Sequence, residues 1–497
     1  MGKEKTTKPL GVVALSVWCC AVAGTLRAQP DAPADPGRIV HVHDTTANPF
    51  LLPQSGQEVG DPFPVYWDGV WHLYALRADL RAVLHFTSTD LVTWAEREPA
   101  MVGTGIATGT VVRDGKTFYL FYTDAGPQTI RLVVSDNPWH FDFGKSRLVA
   151  KADEKVYQLS HRKFRDCYVF RNEEEGLWWM LVEATSDNAV AAGLFKSKDL
   201  LTWRQHSPIF KDKSRLHGSC PQVFERNGRW NLTCLDYGTW HYTAETPYGP
   251  WSLRGQYHSR YFTAASRLAT AGNRRLCWGF FSKHPTPERK WRGYGGPLGV
   301  GRELVFRDDG TVGVRPLAEL VTAIRKPQNN AELFACARER RGKWDIDSTR
   351  ETFESRDEGG GVLLWDLPEK NPDYYFEADI QFASPQTRAD VVVRTSKNCD
   401  RGYRVAIEPG NSKIAIRQFK PDGGTFNEKN YTFVKGQAVK LQVFVCGGQI
   451  EAFVGERASL SARVLDRPDY RVAIEIAGGR AAIGKPLLHY FKYKQGN

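Results

Sequence analysis

The stretch SCPQVFERNGRWNLTCLDYG, residues 219–238, decides the fold. An apolar run leads into Asn227-Gly228 and an aromatic-rich run follows, which is the pattern of a β-hairpin with a tight turn. Four further stretches of this design begin at Asp61, Thr108, Arg165 and Ala264. A second unit recurs between them, as TSTDLVTW at 87–94 and KSKDLLTW at 196–203. The chain is therefore built from repeats.

The spacing of the repeats predicts the architecture. The five hairpins begin roughly 45 to 57 residues apart, which leaves room for four strands in each repeat. Four strands at this period are typical of a β-propeller blade. Five repeats predict a five-bladed propeller over about residues 40–325, in an all-β chain.

The pattern changes in the last third of the chain. From about Ile346, short alternating strands are separated by Gly, Asn and Asp turns, for example at 374–382, 403–409 and 439–454. This pattern predicts an antiparallel β-sandwich over 346–497. The charged segment 326–345 is predicted to be a linker with a short helix.

Composition and the N-terminal segment limit the classes of partner and the cellular location that the sequence predicts. The formal charge is +11, but Lys and Arg are interspersed with acids and form no basic stripe, so no nucleic-acid partner is predicted. Residues 1–28 resemble a signal peptide, with lysines before the apolar run 10–26, which predicts a secreted or periplasmic protein. No later segment is apolar and long enough for a membrane span.

The cysteines leave two readings open. Cys220 and Cys234 face each other across the Asn227-Gly228 turn, either as a cross-strand disulfide or as two free thiols. His217, Cys220 and Cys167 near the mouth suggest a metal site only weakly, because no ligand spacing typical of zinc is present. No phosphate loop or calcium loop occurs either, so no cofactor is predicted.

The candidate chemistry lies at one mouth of the propeller, where the innermost strands begin. The polar or small residues at these starts are Asp61, Thr108, Asp166, Ser219 and Ala264. Carboxylates from two repeats, Asp61 and Asp166, would face each other across the channel, as cleavage of a glycosidic bond requires. Hairpin pairing also predicts Asp236 nearly opposite Ser219 and Glu183 beside Asp166; a slip of one residue would turn these side chains away.

At these residues the sequence resembles the glycoside hydrolases of family 32, which include invertases, levanases and inulinases. The resemblance rests on Gly60-Asp61-Pro62, Phe164-Arg165-Asp166, Cys220-Pro221-Gln222 and the stretch GGPLGVGRELVF from Gly295. It implies a retaining mechanism in which Asp61 is the nucleophile, Asp166 stabilises the transition state and Arg165 orients it. The family's third residue is a Glu directly before Cys-Pro, acting as general acid/base, and here that residue is Ser219.

The sequence departs from the family's pattern on the fructose-binding side. Gly60 and Phe63 replace the Asn residues that usually flank Asp-Pro, Leu76 replaces a Gln, and residues 84–86 replace a Trp-Gly-His. A serine cannot protonate a leaving group near neutral pH, so Asp236, Glu183 and His217 are the candidates for a substitute acid. Arg165, Glu183, His217, Ser219 and Phe63 are the predicted substrate-binding residues.

These observations predict an exported glycoside hydrolase that acts on fructosides or related oligosaccharides. Two alternatives remain. One is an arabinosidase or xylosidase similar to family 43, which shares the propeller and an Asp-Pro start. The other is a carbohydrate-binding protein that has lost catalysis, since Ser219 is not an acid; Phe63, Trp67 and Trp240 would then stack on sugar rings. The sequence does not specify an oligomeric state.

Overall fold

The computed structural model describes residues 37–158, 163–259, 262–263, 267–282, 294–325, 330–365, 372–419, 423–464 and 469–491. The predicted signal peptide and Ala264 lie outside these residues. The described chain is made almost wholly of antiparallel strands. Its helices are short: two α-helices at Ala318–Arg325 and Asn330–Ala335, and 3₁₀ turns at Phe143–Lys145 and Pro409–Asn411.

Five antiparallel sheets follow one another along the first part of the chain and form the five blades. Blade 1 contains β1 (Ile39–Asp44), β2 (Val59–Trp67), β3 (Val70–Arg77), β4 (Ala82–Ser88) and β5 (Thr93–Val102). Blade 2 contains β6 (Ile106–Asp114), β7 (Thr117–Asp124), β8 (Thr129–Ser135) and β9 (Arg147–Ala150). Blade 3 contains β10 (Arg165–Asn172), β11 (Leu177–Ser186), β12 (Ala189–Ser197) and β13 (Arg204–Asp212).

The last two blades complete the propeller. Blade 4 contains β14 (Ser219–Arg226), β15 (Arg229–Leu235), β16 (Thr239–Ala244) and β17 (Ser252–His258). Blade 5 contains β19 (Leu268–Ala271), β20 (Arg274–Cys277), β22 (Arg302–Phe306) and β23 (Val312–Pro316), with a two-stranded ribbon of β18 (Phe262–Thr263) and β21 (Phe280–Phe281) beside it. The prediction of an all-β, five-bladed propeller is confirmed.

The first strands of the blades form a ring around the central axis. Strands β2, β6, β10 and β14 contact their neighbours in turn, and β19 contacts β2. The backbone N–H of Leu268 on β19 donates to Gln222 on β14 (2.8 Å), which joins the remaining pair. Separate apolar clusters fill the spaces between successive blades. The starts of the five inner strands therefore meet at one mouth.

The recurring Ser-x-Asp-Leu-x-x-Trp unit forms the turn between the two outer strands of a blade. In blade 1, Asp90 accepts hydrogen bonds from the backbone N–H groups of Val92 (2.9 Å) and Thr93 (2.7 Å). Leu91 has a φ of 63° and is buried, and Trp94 is buried behind it. The same bonds and the same φ recur at Asp199 and Leu200 in blade 3. The repeat thus encodes a side-chain-stabilised turn.

Two sheets of seven strands each form the predicted sandwich, and the one that includes Ser459 is continuous with blade 4 through a single parallel pair, His258 with Ser459. One sheet contains β25 (Trp344–Asp347), β26 (Thr352–Ser355), β28 (Tyr374–Phe382), β33 (Val439–Cys446), β34 (Gln449–Val454), β35 (Ala458–Arg463) and β37 (Ala481–Tyr490). The other contains β24 (Ala337–Arg341), β27 (Gly360–Trp365), β29 (Arg388–Thr395), β30 (Tyr403–Glu408), β31 (Lys413–Gln418), β32 (Thr425–Asn430) and β36 (Arg471–Ala477). Its first strand, β24, already lies within the predicted linker 326–345. The domain limits stay predictions.

A buried ion pair joins the propeller to the sandwich. Arg302 on β22 pairs with Glu451 on β34, and neither side chain is exposed to solvent. Glu451 also accepts hydrogen bonds from Val300 N (2.9 Å) and Ser461 Oγ (2.9 Å). The Arg302 guanidinium stacks on Phe262, 3.6 Å from its ring centre. All charged groups at this contact are therefore satisfied, as a buried pair requires.

The seven described cysteines are free thiols, so Cys220 and Cys234 form no disulfide. Within the described ranges, no helix is long and apolar enough to cross a membrane.

Candidate active site

The candidate site lies at the mouth, where four of the five inner strands, β2, β6, β10 and β14, have a β-bulge. Asp61, Asp166 and Cys220 have φ values of 33°, 56° and 50°, and the pairing register shifts at each of them. A bulge adds one residue to a strand and redirects its side chain. The bulges of blades 1, 3 and 4 lie at equivalent positions and shape the mouth, and two of them carry a carboxylate.

The bulges also correct the predicted register by one residue. Glu183 pairs with Arg165 rather than Asp166, and Leu235, not Asp236, pairs with Ser219. Ser219 is thus equivalent to Arg165 and lies one residue before the bulge. The extra residue in each bulge, which alternation of side chains does not reveal, explains the error.

Asp61 is half-buried and surrounded by hydroxyl groups. The Thr108 hydroxyl donates a hydrogen bond to Oδ2 of Asp61, and the Tyr294 phenol faces the same carboxylate. Burial, followed by the negative charge of Asp166, raises the pKa of Asp61 to about 6. The effect of Asp166 on this pKa indicates that the two carboxylates act on each other across the mouth.

Asp166 is buried, with 7% of its surface exposed. Its Oδ2 accepts a hydrogen bond from the backbone N–H of Cys220 (3.2 Å) and lies 3.8 Å from Nε of Arg165. Burial raises the pKa of Asp166; the Arg165 charge opposes this shift and Glu183 adds to it. Asp166, in turn, is the main cause of a raised pKa for Arg165.

Arg165 connects Asp166 with two residues from neighbouring strands. Its Nε donates to Oε2 of Glu183 at 2.7 Å, and its Nη2 lies 3.5 Å from Oγ of Ser219. Ser219 Oγ donates to the same Glu183 oxygen at 2.9 Å. Glu183 is fully buried, and its Oε1 is buried without a hydrogen-bond partner. A carboxylate therefore lies directly behind the Ser219 hydroxyl.

Asp236 and His217 lie on the loops beside this group. Oδ2 of Asp236 accepts a long hydrogen bond from the backbone N–H of Leu216 (3.4 Å), and its Oδ1 is buried without a partner. His217 packs edge-on against Tyr237, and burial lowers its pKa. Neither side chain hydrogen-bonds Ser219, Arg165, Asp166 or Asp61 among the described residues.

The aromatic residues predicted to stack on sugar are placed differently. Phe63 is 3% exposed and stacks on Tyr74 in the core between blades 1 and 2. The structure therefore does not bring its ring to the mouth. Phe63 and Trp67 line a channel of about 260 Å³ that runs below the mouth between the inner strands. The face of Trp240 is covered by the Arg215 guanidinium, 3.4 Å from the ring centre.

Sequence reasoning missed residues that hold the carboxylates in place. Thr123 links blades 2 and 3: its hydroxyl donates to Thr108 O (3.0 Å) and accepts from Asp166 N (2.9 Å). Arg267 is buried and donates to the backbone oxygens of Asp166 (2.6 Å) and Pro221 (2.7 Å).

Tyr294 was also missed. Its ring occupies the space that a side chain at Gly60 would need, since a Cβ built there lies 2.3 Å from the phenol. A charged residue in an apolar repeat, as at Arg267, was the available signal for that residue, whereas Tyr294 comes from a distant segment with no repeat signal.

The site brings together three carboxyl groups, those of the partly exposed Asp61 and of the buried Asp166 and Glu183. Asp61, Asp166 and Glu183 contribute three negative charges when ionised, against the two positive charges of Arg165 and Arg267. Such a cluster retains a proton more readily than an isolated carboxylate does. Among the residues that the structure describes, no group of three or more His, Cys, Asp and Glu is arranged to hold a metal.

Comparison with known proteins identifies the family to which the propeller is similar. The model of the glycosyl hydrolases family 32 N-terminal domain matches residues 60–313, slightly more than half of the chain. A sucrose-6-phosphate hydrolase of Bacillus subtilis is 30% identical over 229 residues, 41% of this chain and 44% of the relative. An insoluble beta-fructofuranosidase (isoenzyme 6) of Oryza sativa is 28% identical over 243 residues, 44% of this chain and 39% of the relative. The chain thus spans less than half the length of these curated relatives.

Solved structures extend the likeness to the whole fold. A sucrose-6-phosphate hydrolase from Lactobacillus gasseri superimposes with a TM-score of 0.66 at 13% identity, over 90% of this chain and 95% of that one. An Aspergillus kawachii beta-fructofuranosidase gives 0.66 at 15% identity, over 88% and 93%. These identities support the fold alone. With the Asp61 and Asp166 bulges at its mouth and the family model spanning its blades, the chain belongs to glycosyl hydrolase family 32.

Proposed function

We propose that the protein hydrolyses fructosides or related fructose-containing oligosaccharides at the propeller mouth. One observation carries the proposal: Asp61 and Asp166 lie on bulges at equivalent positions of two non-adjacent inner strands and are linked at one mouth through Thr108 and Thr123. The named activities of the sucrose-6-phosphate hydrolase and beta-fructofuranosidase relatives support the fructoside as substrate. The finer specificity, between sucrose, fructans and phosphorylated sugars, is left to experiment.

In this proposal Asp61 attacks the anomeric carbon and forms a covalent glycosyl-enzyme. The Thr108 hydroxyl holds the Asp61 carboxylate in position. Asp166, fixed by Cys220 N and Arg165, stabilises the positive charge that develops on the sugar ring in the transition state. Arg165 has about a third of its side chain exposed, so it can also reach sugar hydroxyl groups.

Glu183 is the best-placed substitute for the missing acid. A proton would pass from the Glu183 carboxyl group to Ser219 Oγ while the Ser219 hydroxyl gives its own proton to the glycosidic oxygen. Ser219 Oγ and Glu183 Oε2 lie 2.9 Å apart; Ser219 is the donor while Glu183 is ionised, and the same hydrogen bond runs from Glu183 to Ser219 once Oε2 carries the proton. Ser219 is partly exposed whereas Glu183 is not. In the second step a water molecule would return the proton along the same route and hydrolyse the intermediate.

For this role the Glu183 carboxyl group has to carry a proton before the first step, while Arg165 stays hydrogen-bonded to its Oε2. Asp236, the first candidate from sequence, and His217 stay predictions; neither is hydrogen-bonded to Ser219, which makes them second to Glu183.

The second candidate function is carbohydrate binding without catalysis, and Ser219 in place of an acid favours it. Two of the three rings predicted to stack on sugar argue against it, because neither is free to do so. Phe63 is buried in the core between blades 1 and 2, and the face of Trp240 is covered by Arg215. The family-43-like alternative gains no support, since the matched family model is that of family 32. Export by residues 1–28 stays a prediction.

Release of reducing sugar from sucrose, inulin, levan and a panel of aryl glycosides tests the proposal. The purified protein and its Asp61→Ala variant are compared. We expect release from at least one fructoside by the wild type and none by the variant. Sugar binding by both proteins with no turnover of any substrate would replace the hydrolase with the binding protein.

A further inference from the structure

A second cavity, of about 150 Å³, lies between the outer edge of blade 4 and the sandwich, away from the mouth. Strands β16, β17 and β32 and the residues just before β23 and β35 form its wall. Four cationic side chains line it: Arg254, Arg307, Lys429 and Arg457. Among the described residues that line it, none is Asp or Glu. A half-enclosed space with only positive side chains attracts anions.

The four cations have no ion-pair partner within the described part of the chain. Three of them bind neutral oxygens instead: Lys429 Nζ donates to Gln256 O, Arg254 Nε to Thr243 Oγ1 (2.7 Å) and Arg307 Nη2 to Glu456 O (2.5 Å). Their remaining N–H groups are available to a ligand. His241, also on the wall, is buried and its Nδ1 has no hydrogen-bond partner.

At the same junction between propeller and sandwich, another buried cation does have an ion-pair partner. Arg302 is fully buried and is paired with Glu451, with its further N–H groups bound to Val300 O and Ser459 Oγ. The junction thus neutralises a buried arginine where it serves only to hold the domains together. No carboxylate of the described residues pairs with the four cations of this cavity in the way that Glu451 pairs with Arg302. We therefore expect a ligand to supply the negative charge.

The pKa values of two of these cations also favour a negatively charged ligand. Burial lowers the pKa of Lys429 to about 7, and burial together with the Arg457 charge lowers the pKa of Arg307. The nearest acids, Asp309 and Glu456, are exposed at the rim and offset this only partly at Arg307. The cations repel one another, and a bound anion would reduce that repulsion.

We propose that the four-cation cavity binds a tetrahedral oxyanion, phosphate or sulfate, either free or as an ester on a sugar. Arginine side chains bind such groups with two parallel hydrogen bonds, and a lysine adds a point charge. The buried Tyr431 lines the same wall and adds a hydroxyl donor. The volume is about ten times what one water molecule requires, which leaves room for the anion. The site does not depend on the proposed hydrolysis.

Calorimetric titration and thermal unfolding with inorganic phosphate test the site, with sodium chloride at matched ionic strength as reference. In the wild type, phosphate should bind and raise the unfolding temperature more than chloride does. In Lys429→Met and in Arg457→Gln, phosphate affinity should fall by about tenfold or more. Without phosphate, Lys429→Met should be at least as stable as the wild type because an unpaired charge is removed. Lys155→Met, an exposed lysine elsewhere, should behave as the wild type.

Glucose 6-phosphate distinguishes the two sources of the group. Tighter binding of the ester than of inorganic phosphate would identify a sugar-borne group, and equal binding a free anion; either supports the site. The inference is overturned if phosphate and chloride act alike, or if both variants keep the wild-type affinity for phosphate.

Discussion

Ser219 donates a hydrogen bond from its Oγ to Oε2 of Glu183, 2.9 Å away, and Arg165 holds the same oxygen at 2.7 Å. Ser219 stands where the family's pattern has its acid. Glu183 reaches the back of that position from the end of β11. An acidic group is thus retained at the mouth, one hydrogen bond further from the substrate. This relationship is the basis of the first prediction.

Glu183→Gln should reduce hydrolysis of a fructoside with a poor leaving group, such as sucrose, by about 10²–10⁴-fold, the usual contribution of a positioned acid/base. An aryl fructoside should lose much less in its first step, because nitrophenolate leaves without protonation. Rapid-mixing measurement of nitrophenolate release separates that step from the second. Asp236→Asn is the matched control and should stay close to the wild-type rate. Equal losses on both substrates would indicate a structural role for Glu183.

The dependence of kcat/KM on pH should follow the ionisation of Asp61. Asp61 must be ionised to attack, and its pKa is raised to about 6 by burial and by Asp166. The value of kcat/KM should therefore fall by about tenfold per pH unit below pH 6. In Asp166→Asn the fall in residual activity should occur at lower pH, because removing the negative charge of Asp166 lowers the pKa of Asp61. An acid limb that stays at the same pH in this variant would contradict the coupling of the two carboxylates.

Asp61→Asn should stabilise the protein while abolishing activity. The pKa of Asp61 is raised in the folded state, so its contribution to stability is complete below its unfolded value of 3.8 and is lost as the pH rises through 6. At pH 8 the variant should gain up to about 3 kcal/mol over the wild type, and at pH 3.5 almost nothing. Calorimetric unfolding at both pH values measures this. The exposed Asp136→Asn should show no such difference between the two pH values.

Gly60→Ala should disturb the site through Tyr294. A Cβ at position 60 would lie 2.3 Å from the phenol, which is too close for any contact. Overpacking of this kind costs about 1–3 kcal/mol. Adding Tyr294→Ala should recover part of the loss in a double-mutant cycle of unfolding free energies. Gly359→Ala, at a position open to solvent, is the control. Strict additivity of the two substitutions would exclude the contact.

Glu451→Gln should loosen the junction of propeller and sandwich. It leaves Arg302 buried and unpaired, which typically costs about 3–5 kcal/mol. Thermal unfolding should show a large drop, and a separate transition for the sandwich would reveal that its docking has weakened. Glu245→Gln removes the partner of Arg229 in an exposed pair and should cost almost nothing. Equal stabilities of the two variants would be incompatible with a structural role for the buried pair.

The repeat pattern was sufficient to predict the fold, because each blade carries both its hairpin and its Asp-stabilised turn in local sequence. It also brought Asp61, Asp166, Arg165 and Ser219 to one mouth, since the starts of equivalent strands must meet there. The register beside the mouth was wrong by one residue because a bulge adds a residue without changing the alternation that sequence shows. This error favoured Asp236 over Glu183.

Contacts between distant segments account for what the sequence missed. Tyr294 reaches Gly60 from beyond the fifth hairpin, and Glu451 reaches Arg302 from the other domain. Neither pair has a spacing or a repeat that marks it. The burial of Phe63 was missed for a related reason: the bulge at Asp61 determines which face of β2 the ring occupies.

The most direct test of the account is whether Asp61 forms the covalent intermediate. The protein is mixed with an activated aryl β-fructofuranoside, quenched in acid and digested, and the peptide containing Asp61 is weighed by mass spectrometry. We predict that this peptide gains one hexosyl group in the wild type and none in Asp61→Asn. Steady release of the aryl group by both proteins, with the peptide unmodified in each, would show that Asp61 is not the nucleophile.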